Sequence, residues 1–273
     1  MAASGSHETI SRIAGPIEQW GLYRKSLLFA ELSRIAYLRQ EPAAAMAQQI
    51  GLPQVEFFDV DGAQSYLFSN EYDLVLACRG TEPREWNDVK ADINAWPVVA
   101  ETLGRVHRGF KKEADDLWPV LEQRLLENTK ELWLCGHSLG GAMATIYAGR
   151  CKMSYIKTNP VELFTYGSPR VGTKKYVAHC TVKHIRWVNN NDIVTRVPPT
   201  WMGYHHVGEE MYLNAYGKVR KHTPYQRLKD RCRGFVMGLK AGKIDNFSDH
   251  AIARYVEYLY DVLIESGELP APF

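Results

Sequence analysis

ELWLCGHSLGGAMATIYAGRC, running from Glu131 to Cys151, is the stretch on which the fold turns. ELWLC is an apolar run of strand length, and the small-residue run from Leu139 to Cys151 has helical length and composition. Between them Gly136-His137-Ser138-Leu139-Gly140 puts a hydroxyl on a sharp strand-to-helix turn. Glycines two before and two after the serine let backbone and helix approach closely. The amino end of the helix brings positive dipole and free N–H groups beside the place where an oxyanion would develop. GxSxG alone arises by chance, but here a strand precedes it, a helix follows and Gly141-Ala142 packs the turn. Ser138 is therefore the candidate nucleophile, and a glycine-rich packing turn is the alternative.

Upstream lie three short runs, VEFFDV (55–60), SYLFSN (65–70) and DLVLAC (73–78), with Asp61-Gly62 as a turn signal between the first two. They predict an antiparallel meander. Before it, Leu27, Leu28, Ala30, Leu32, Ile35 and Ala36 fall near helical spacing within 26–38. Phe110, Ala114, Leu117, Leu121 and Leu125 predict another helix, which Pro119 should kink or shorten. Downstream come the strand VELFTYG (161–167), a short helix near 173–180, the strand HIRWVN (184–189) and a closing amphipathic helix over 250–265. Alternating strands and helices build a mostly parallel sheet with helices on both faces, and the meander adds antiparallel strands at its N-terminal edge. Reactive groups gather at the carboxyl ends of such strands. One α/β domain over 1–273 is the expectation.

The chain has 273 residues, 45% hydrophobic and 23% charged, so it has the composition of a folded domain rather than a disordered tract. Lys plus Arg number 33 against 31 acids, and no overall field selects nucleic acid as a partner. Arg12, Glu18, Arg24 and Lys25 interrupt every apolar run near the N-terminus, which predicts no signal peptide and a cytoplasmic location or release by a non-classical route. No window has the roughly 18 apolar residues of a membrane span. Five cysteines, Cys78, Cys135, Cys151, Cys180 and Cys232, cannot all pair, and a reducing compartment, or free buried thiols, fits best. Cys180 with His179 and His184 has neither CxxC nor HxxxH spacing, so no metal is expected. Oligomeric state does not follow from any of these features.

A serine is inert until a base takes its proton, and the base needs an orienting carboxylate. On an elbow of this kind the partners follow in the order Asp, then His. Asp192 stands in NNNDIVTRVPP at the carboxyl end of the next predicted strand but one after that of Ser138. An Asx turn or cap is its structural alternative. Asp245 and Asp249 are rivals, though Asp249 adjoins the best histidine and sequence neighbours rarely face each other. Of the downstream histidines, His250 in SDH at the start of the last helix is favoured as base, with His222 second. His205-His206 is expected to anchor a turn.

CRGTEPREWNDV (78–89), RVHRGF (105–110), GHSLGGA (136–142), YGSPRVG (166–172), VNNNDIVTRVPP (188–199), HVGEE (206–210) and SDH (248–250) together resemble the class 3 lipases, the fungal-type triacylglycerol lipase family of α/β-hydrolases. The resemblance runs from about residue 73 to 262. It implies Ser138 as nucleophile, Asp192 as orienter and His250 as base, with an oxyanion hole from Thr81, after Arg79-Gly80, and Leu139. It also implies a lid at about 86–104, where Trp86, Ile93, Trp96, Val98, Val99 and Leu103 are too apolar for a plain surface loop. A helix fixed on the core is the alternative for that segment.

The activity implied is serine-dependent hydrolysis of acylglycerol esters, needing no metal or cofactor, with contact to a lipid–water interface. Phospholipase A1 or a short-chain carboxylesterase is the alternative within enzymes, and a catalytically silent binding module is the remote one. From Lys218 to Lys243, nine Lys and Arg face one acid, Asp230, and Tyr225, Leu228, Cys232, Phe235 and Leu239 recur at helical spacing. That segment reads either as a basic helix held against anionic lipid or as a core helix with solvated charges.

Overall fold

The computed structural model describes residues 9–80, 96–220 and 249–268, together with Gln226. A period of two governs the strands. On β3 (Asp73–Cys78) Val75 and Ala77 face one side while Leu74, Leu76 and Cys78 face the other. β6 (Glu131–His137) repeats this with Trp133 and Cys135 against Leu132 and Leu134. Both faces are apolar, so both must be covered.

β1 (Gln54–Val60), β2 (Ala63–Ser69) and β3 form the antiparallel meander. From β3 onward β6, β7 (Pro160–Tyr166), β9 (Lys183–Asn189) and β11 (Glu209–Leu213) run parallel, in the order β1-β2-β3-β6-β7-β9-β11. α1 (Leu22–Ile35), α2 (Gln40–Ile50) and the closing α6 (Ile252–Ser266) bury their stripes on the face of Trp133, Phe164 and Trp187. α3 (Arg108–Leu126) and α4 (Leu139–Cys151) cover the face of Leu134 and Leu163. Between β7 and β9 lies the short α5 (Lys174–His179). Each large apolar side chain buried in this way contributes roughly 1.5–3 kcal/mol.

α3 includes Pro119 and still runs to Leu126, so the proline does not shorten it; Ala114, Leu117, Leu121 and Leu125 are buried on both sides of the proline and hold the helix to the core. α2 is not in the sequence expectation. Ala43, Met46, Ala47 and Ile50 do recur at helical spacing, but alanines give a weak hydrophobic signal, and Pro42 reads as a breaker although the first turn tolerates it. β11 is missing too, because Glu209 and Glu210 mask its alternation; Glu210 pairs with Arg186 of β9.

A second, four-stranded antiparallel sheet stands apart in the order β10 (Tyr204–His205), β8 (Gly172–Thr173), β5 (Arg105–His107) and β4 (Pro97–Val99). Strands of two or three residues carry no periodicity to read. Of the segment expected to form a lid, residues 86–95, including Trp86 and Ile93, lie outside the described residues. The remainder is a hairpin: β4 pairs with β5, and the Ala100 N–H donates to the Gly104 carbonyl at 3.1 Å. Trp96, Val99 and Leu103 are exposed there, whereas Val98 packs against the core.

Asp73 fixes the N-terminal segment to this sheet. Fully buried, it accepts the Ile17 N–H at 3.1 Å and the Trp133 Nε1–H at 2.8 Å, and burial pushes its carboxyl above the usual range. Asp73→Ala orphans two buried donors and is expected to lower the unfolding free energy by about 2–5 kcal/mol. Urea denaturation checks this, and a loss under about 0.5 kcal/mol, the size of an ordinary surface change, would refute it.

Candidate active site

β6 ends at His137 and α4 begins at Leu139, so Ser138 alone makes the turn, at φ 59° and ψ −129°. A non-glycine residue holds such angles only where neighbours over-determine them. Here the Ser138 N–H donates to the Tyr166 carbonyl at 2.9 Å, and the Ser138 carbonyl accepts the Gly141 N–H at 3.0 Å. A β-carbon on Gly140 would collide with the Cys78 carbonyl, so that glycine lets α4 lie directly against the end of β3.

The structure brings Ser138, His250 and Asp192 together although they come from three elements. His250 Nε2 lies 2.8 Å from Ser138 Oγ, and Nδ1 lies 3.0 Å from each Asp192 carboxylate oxygen. A carboxylate only accepts, so Nδ1 carries the proton and Nε2 is free to take the serine proton. All three side chains are buried. Beyond His250, Asp192 Oδ1 accepts the Val194 N–H at 2.9 Å, and Oδ2 accepts the Tyr255 hydroxyl at 2.6 Å. The charge is thus spread over several donors in a buried site.

The loop after β9 is braced from behind. Thr195 Oγ1 donates to the Asp192 carbonyl at 2.9 Å, and His206 Nε2 donates to the Thr195 carbonyl at 2.7 Å, so His206 does anchor a turn. Asp249 is not the orienter: its Oδ2 accepts the Asn191 N–H at 3.3 Å, its carbonyl accepts Asn189 Nδ2 at 2.9 Å, and burial raises its carboxyl. Asp245 and His222 lie outside the described residues.

Leu139 is the first residue of α4, where an N–H has no carbonyl one turn earlier to bond. Thr81 lies outside the described residues. The residue before it, Gly80, sits against Ser138, since a β-carbon there would lie 3.2 Å from Ser138 Cβ and 2.6 Å from the His137 carbonyl. Of the basic segment 218–243, only 218–220 and Gln226 are described. Among the described residues no group of three or more His, Cys, Asp and Glu is placed to hold a metal ion, and no helix is long and apolar enough to cross a membrane.

Sequence reasoning missed Tyr255 and Gly167. Tyr255 reads as one more apolar position of α6. At Gly167, with φ +59°, a β-carbon would lie 2.6 Å from Asp192 Oδ2 and 2.9 Å from His250 Nδ1, and only the fold reveals that neighbour. Gly167→Ala is expected to cost about 1–3 kcal/mol of stability through its backbone angle alone. It should also abolish the low-field proton resonance of the His250–Asp192 bond; an unchanged resonance would overturn this reading.

Burial also holds His137, His184 and His206 neutral, far below the ordinary imidazole range and, for His184, down to about 3. The unfolded chain binds those protons below about pH 6.5 and the folded chain does not, so their contribution is complete above that pH and is lost as pH falls. Asp73 and Asp249, raised by burial, act in the opposite sense nearer the carboxylate range. Calorimetry should show proton uptake on unfolding and a falling Tm from about pH 6.5 to about pH 5, and a constant Tm there would contradict it.

The family described as lipase (class 3) matches residues 75–202. Toxin TseL of Vibrio cholerae is 40% identical over 115 residues, which cover 41% of this chain and 18% of that protein. Secreted mono- and diacylglycerol lipase 1 of Fusarium solani is 34% identical over 151 residues, covering 49% of this chain and 44% of that one. The chain therefore spans less than half the length of either relative. The solved triacylglyceride lipase of Rhizomucor miehei is similar in fold, with a TM-score of 0.58 at 21% identity over 68% of this chain and 78% of that chain. A parallel sheet that ends in a serine elbow, matched over residues 75–202 by the class 3 sequence pattern and in fold by fungal lipases, makes the chain class 3 lipase-like in that region and gives it an α/β-hydrolase fold.

Proposed function

We propose that the chain is a serine-dependent carboxylic ester hydrolase acting on acylglycerols. The observation that carries this reading is the 2.8 Å contact between His250 Nε2 and Ser138 Oγ, made while Nδ1 rests on Asp192. His250 takes the hydroxyl proton as Ser138 Oγ attacks the ester carbonyl, and Asp192 steadies the imidazolium that forms. The Leu139 N–H and Thr81 receive the negative charge that develops on the carbonyl oxygen. His250 then protonates the leaving glycerol oxygen. Water, deprotonated by the same imidazole, attacks the acyl-serine, and the fatty acid departs as Ser138 regains its proton.

Ser138 is buried, so an acyl chain reaches it only after the site opens. Trp96 and Val99, 69% and 70% exposed on the β4–β5 hairpin, supply apolar surface for a lipid interface.

Purified protein assayed on p-nitrophenyl esters of graded acyl length, tributyrin, triolein and phosphatidylcholine tests the reading. Preference for tributyrin and triolein supports acylglycerol hydrolysis. Preference for phosphatidylcholine replaces it with phospholipase A1, and activity confined to short p-nitrophenyl esters replaces it with a carboxylesterase. Ser138→Ala should reduce turnover by about 10⁴-fold or more while the protein stays folded. A folded Ser138→Ala protein with near wild-type turnover would rule out the mechanism.

A further inference from the structure

The residue before the nucleophile, His137, takes no part in the reaction set out above, yet it is buried and bonded at both ring nitrogens. Its Nε2 lies 2.6 Å from the carbonyl oxygen of His250, an atom that only accepts, so Nε2 carries the proton. Nδ1 is therefore an acceptor, and it receives the Tyr37 hydroxyl at 2.8 Å from the link between α1 and α2. The His137 ring also lies along the His250 ring, with centroids 4.5 Å apart and planes inclined at 34°. On the other side of His250, Asn189 Nδ2 from the end of β9 holds the Asp249 carbonyl at 2.9 Å.

We infer that His137, oriented by Tyr37, is a positioning residue that ties the backbone of His250 to the strand end carrying Ser138. This inference rests on the proposed roles of Ser138 and His250. Two consecutive residues, the last of β6 and the turn residue after it, then reach His250: His137 holds its carbonyl and Ser138 meets its ring, so the Oγ–Nε2 separation is referenced to a single stretch of backbone. Precise placement matters because a misfit on the order of 1 Å in a proton-transfer pair costs about 10² in rate. The tether needs a donor at one end, an acceptor at the other and a flat ring between, a combination that imidazole supplies.

The ring must also stay uncharged while His250 cycles, since two imidazolium ions at stacking distance repel. Among the described residues, the titratable groups facing His137 are His250, Tyr37 and the edge of Tyr255, with Arg79 over the Tyr37 ring and Asp192 reached through His250. Burial, followed by the nearby His250, holds His137 well below the ordinary histidine range.

The tether is read first without activity, by ¹⁵N NMR of the histidine rings in the full-length Ser138→Ala protein. His137 is expected to remain a neutral Nε2–H tautomer throughout the pH range in which the protein stays folded. Protonation of His137 in the folded protein near neutral pH, or an Nδ1–H tautomer, would overturn the inference whatever the enzyme hydrolyses. On p-nitrophenyl butyrate, His137→Leu should lower kcat by about 10²-fold with KM little changed. His137→Gln, whose amide can donate to the same carbonyl, should recover most of the loss.

Tyr37→Phe should give a smaller loss that disappears in the His137→Leu background, because Tyr37 acts through His137. If His137→Leu does not fold, Tyr37→Phe and His137→Gln still decide. Unchanged kcat and pH profile in a folded Tyr37→Phe or His137→Leu protein, or a His137→Gln protein as slow as His137→Leu, would refute the tether. A wild-type protein that hydrolyses none of the esters would instead refute the triad reading, leaving the NMR result to judge the tether alone.

Discussion

Ser138 holds φ 59° and ψ −129°, and the rest of the molecule is arranged so that it can. The strand must arrive straight, the helix must leave at once, and no side chain can intervene where the two pack. β6 is therefore a central strand with parallel neighbours on both sides, which pin its end through the Ser138 N–H bond to the Tyr166 carbonyl. α4 begins without a lead-in residue, and Gly140 takes the close approach to the end of β3 that any β-carbon would block. Backbone strain at a reactive residue persists because a buried, hydrogen-bonded framework offers no cheaper alternative.

The same framework solves an electrostatic difficulty. Asp192 is fully buried, where an unsatisfied carboxylate would be prohibitive. It meets His250 Nδ1, the Tyr255 hydroxyl and the Val194 N–H, and the turn behind it is held by Thr195 and His206. Tyr255 does double duty, since its oxygen also accepts the Asn189 N–H at 3.0 Å at the end of β9. The side chains that meet Ser138 come from the ends of parallel strands and from the turn before α6, so the sheet edge rather than any one loop sets the geometry.

Chemistry and fold class were legible in the chain because both depend on local rules. The strand, the GxSxG turn and the helix lie consecutively in Glu131–Cys151, and side-chain alternation marks β1, β2, β3, β7 and β9 within two residues of their ends. Asp192 and His250 could be named because chain order and strand ends restrict the choice, and the structure brings both to Ser138. What the sequence by itself determined, then, is periodic burial, turn chemistry and the order of reactive groups, all of which act over a few residues.

Other features depend on partners far away in the chain, and only the tertiary structure decided them. β8 and β10 are two residues long and exist because they find partners in each other and in β5; β11 is a strand because it pairs in parallel with β9, where Glu210 also meets Arg186. Tyr255, 63 residues from Asp192, looks like any buried aromatic until its hydroxyl is seen on the carboxylate. Gly167 and His137 sit at motif positions whose demands come from His250, 83 and 113 residues further on. Hydrogen bonds and excluded volume act over a few ångströms, and which residues share that distance is settled by the fold.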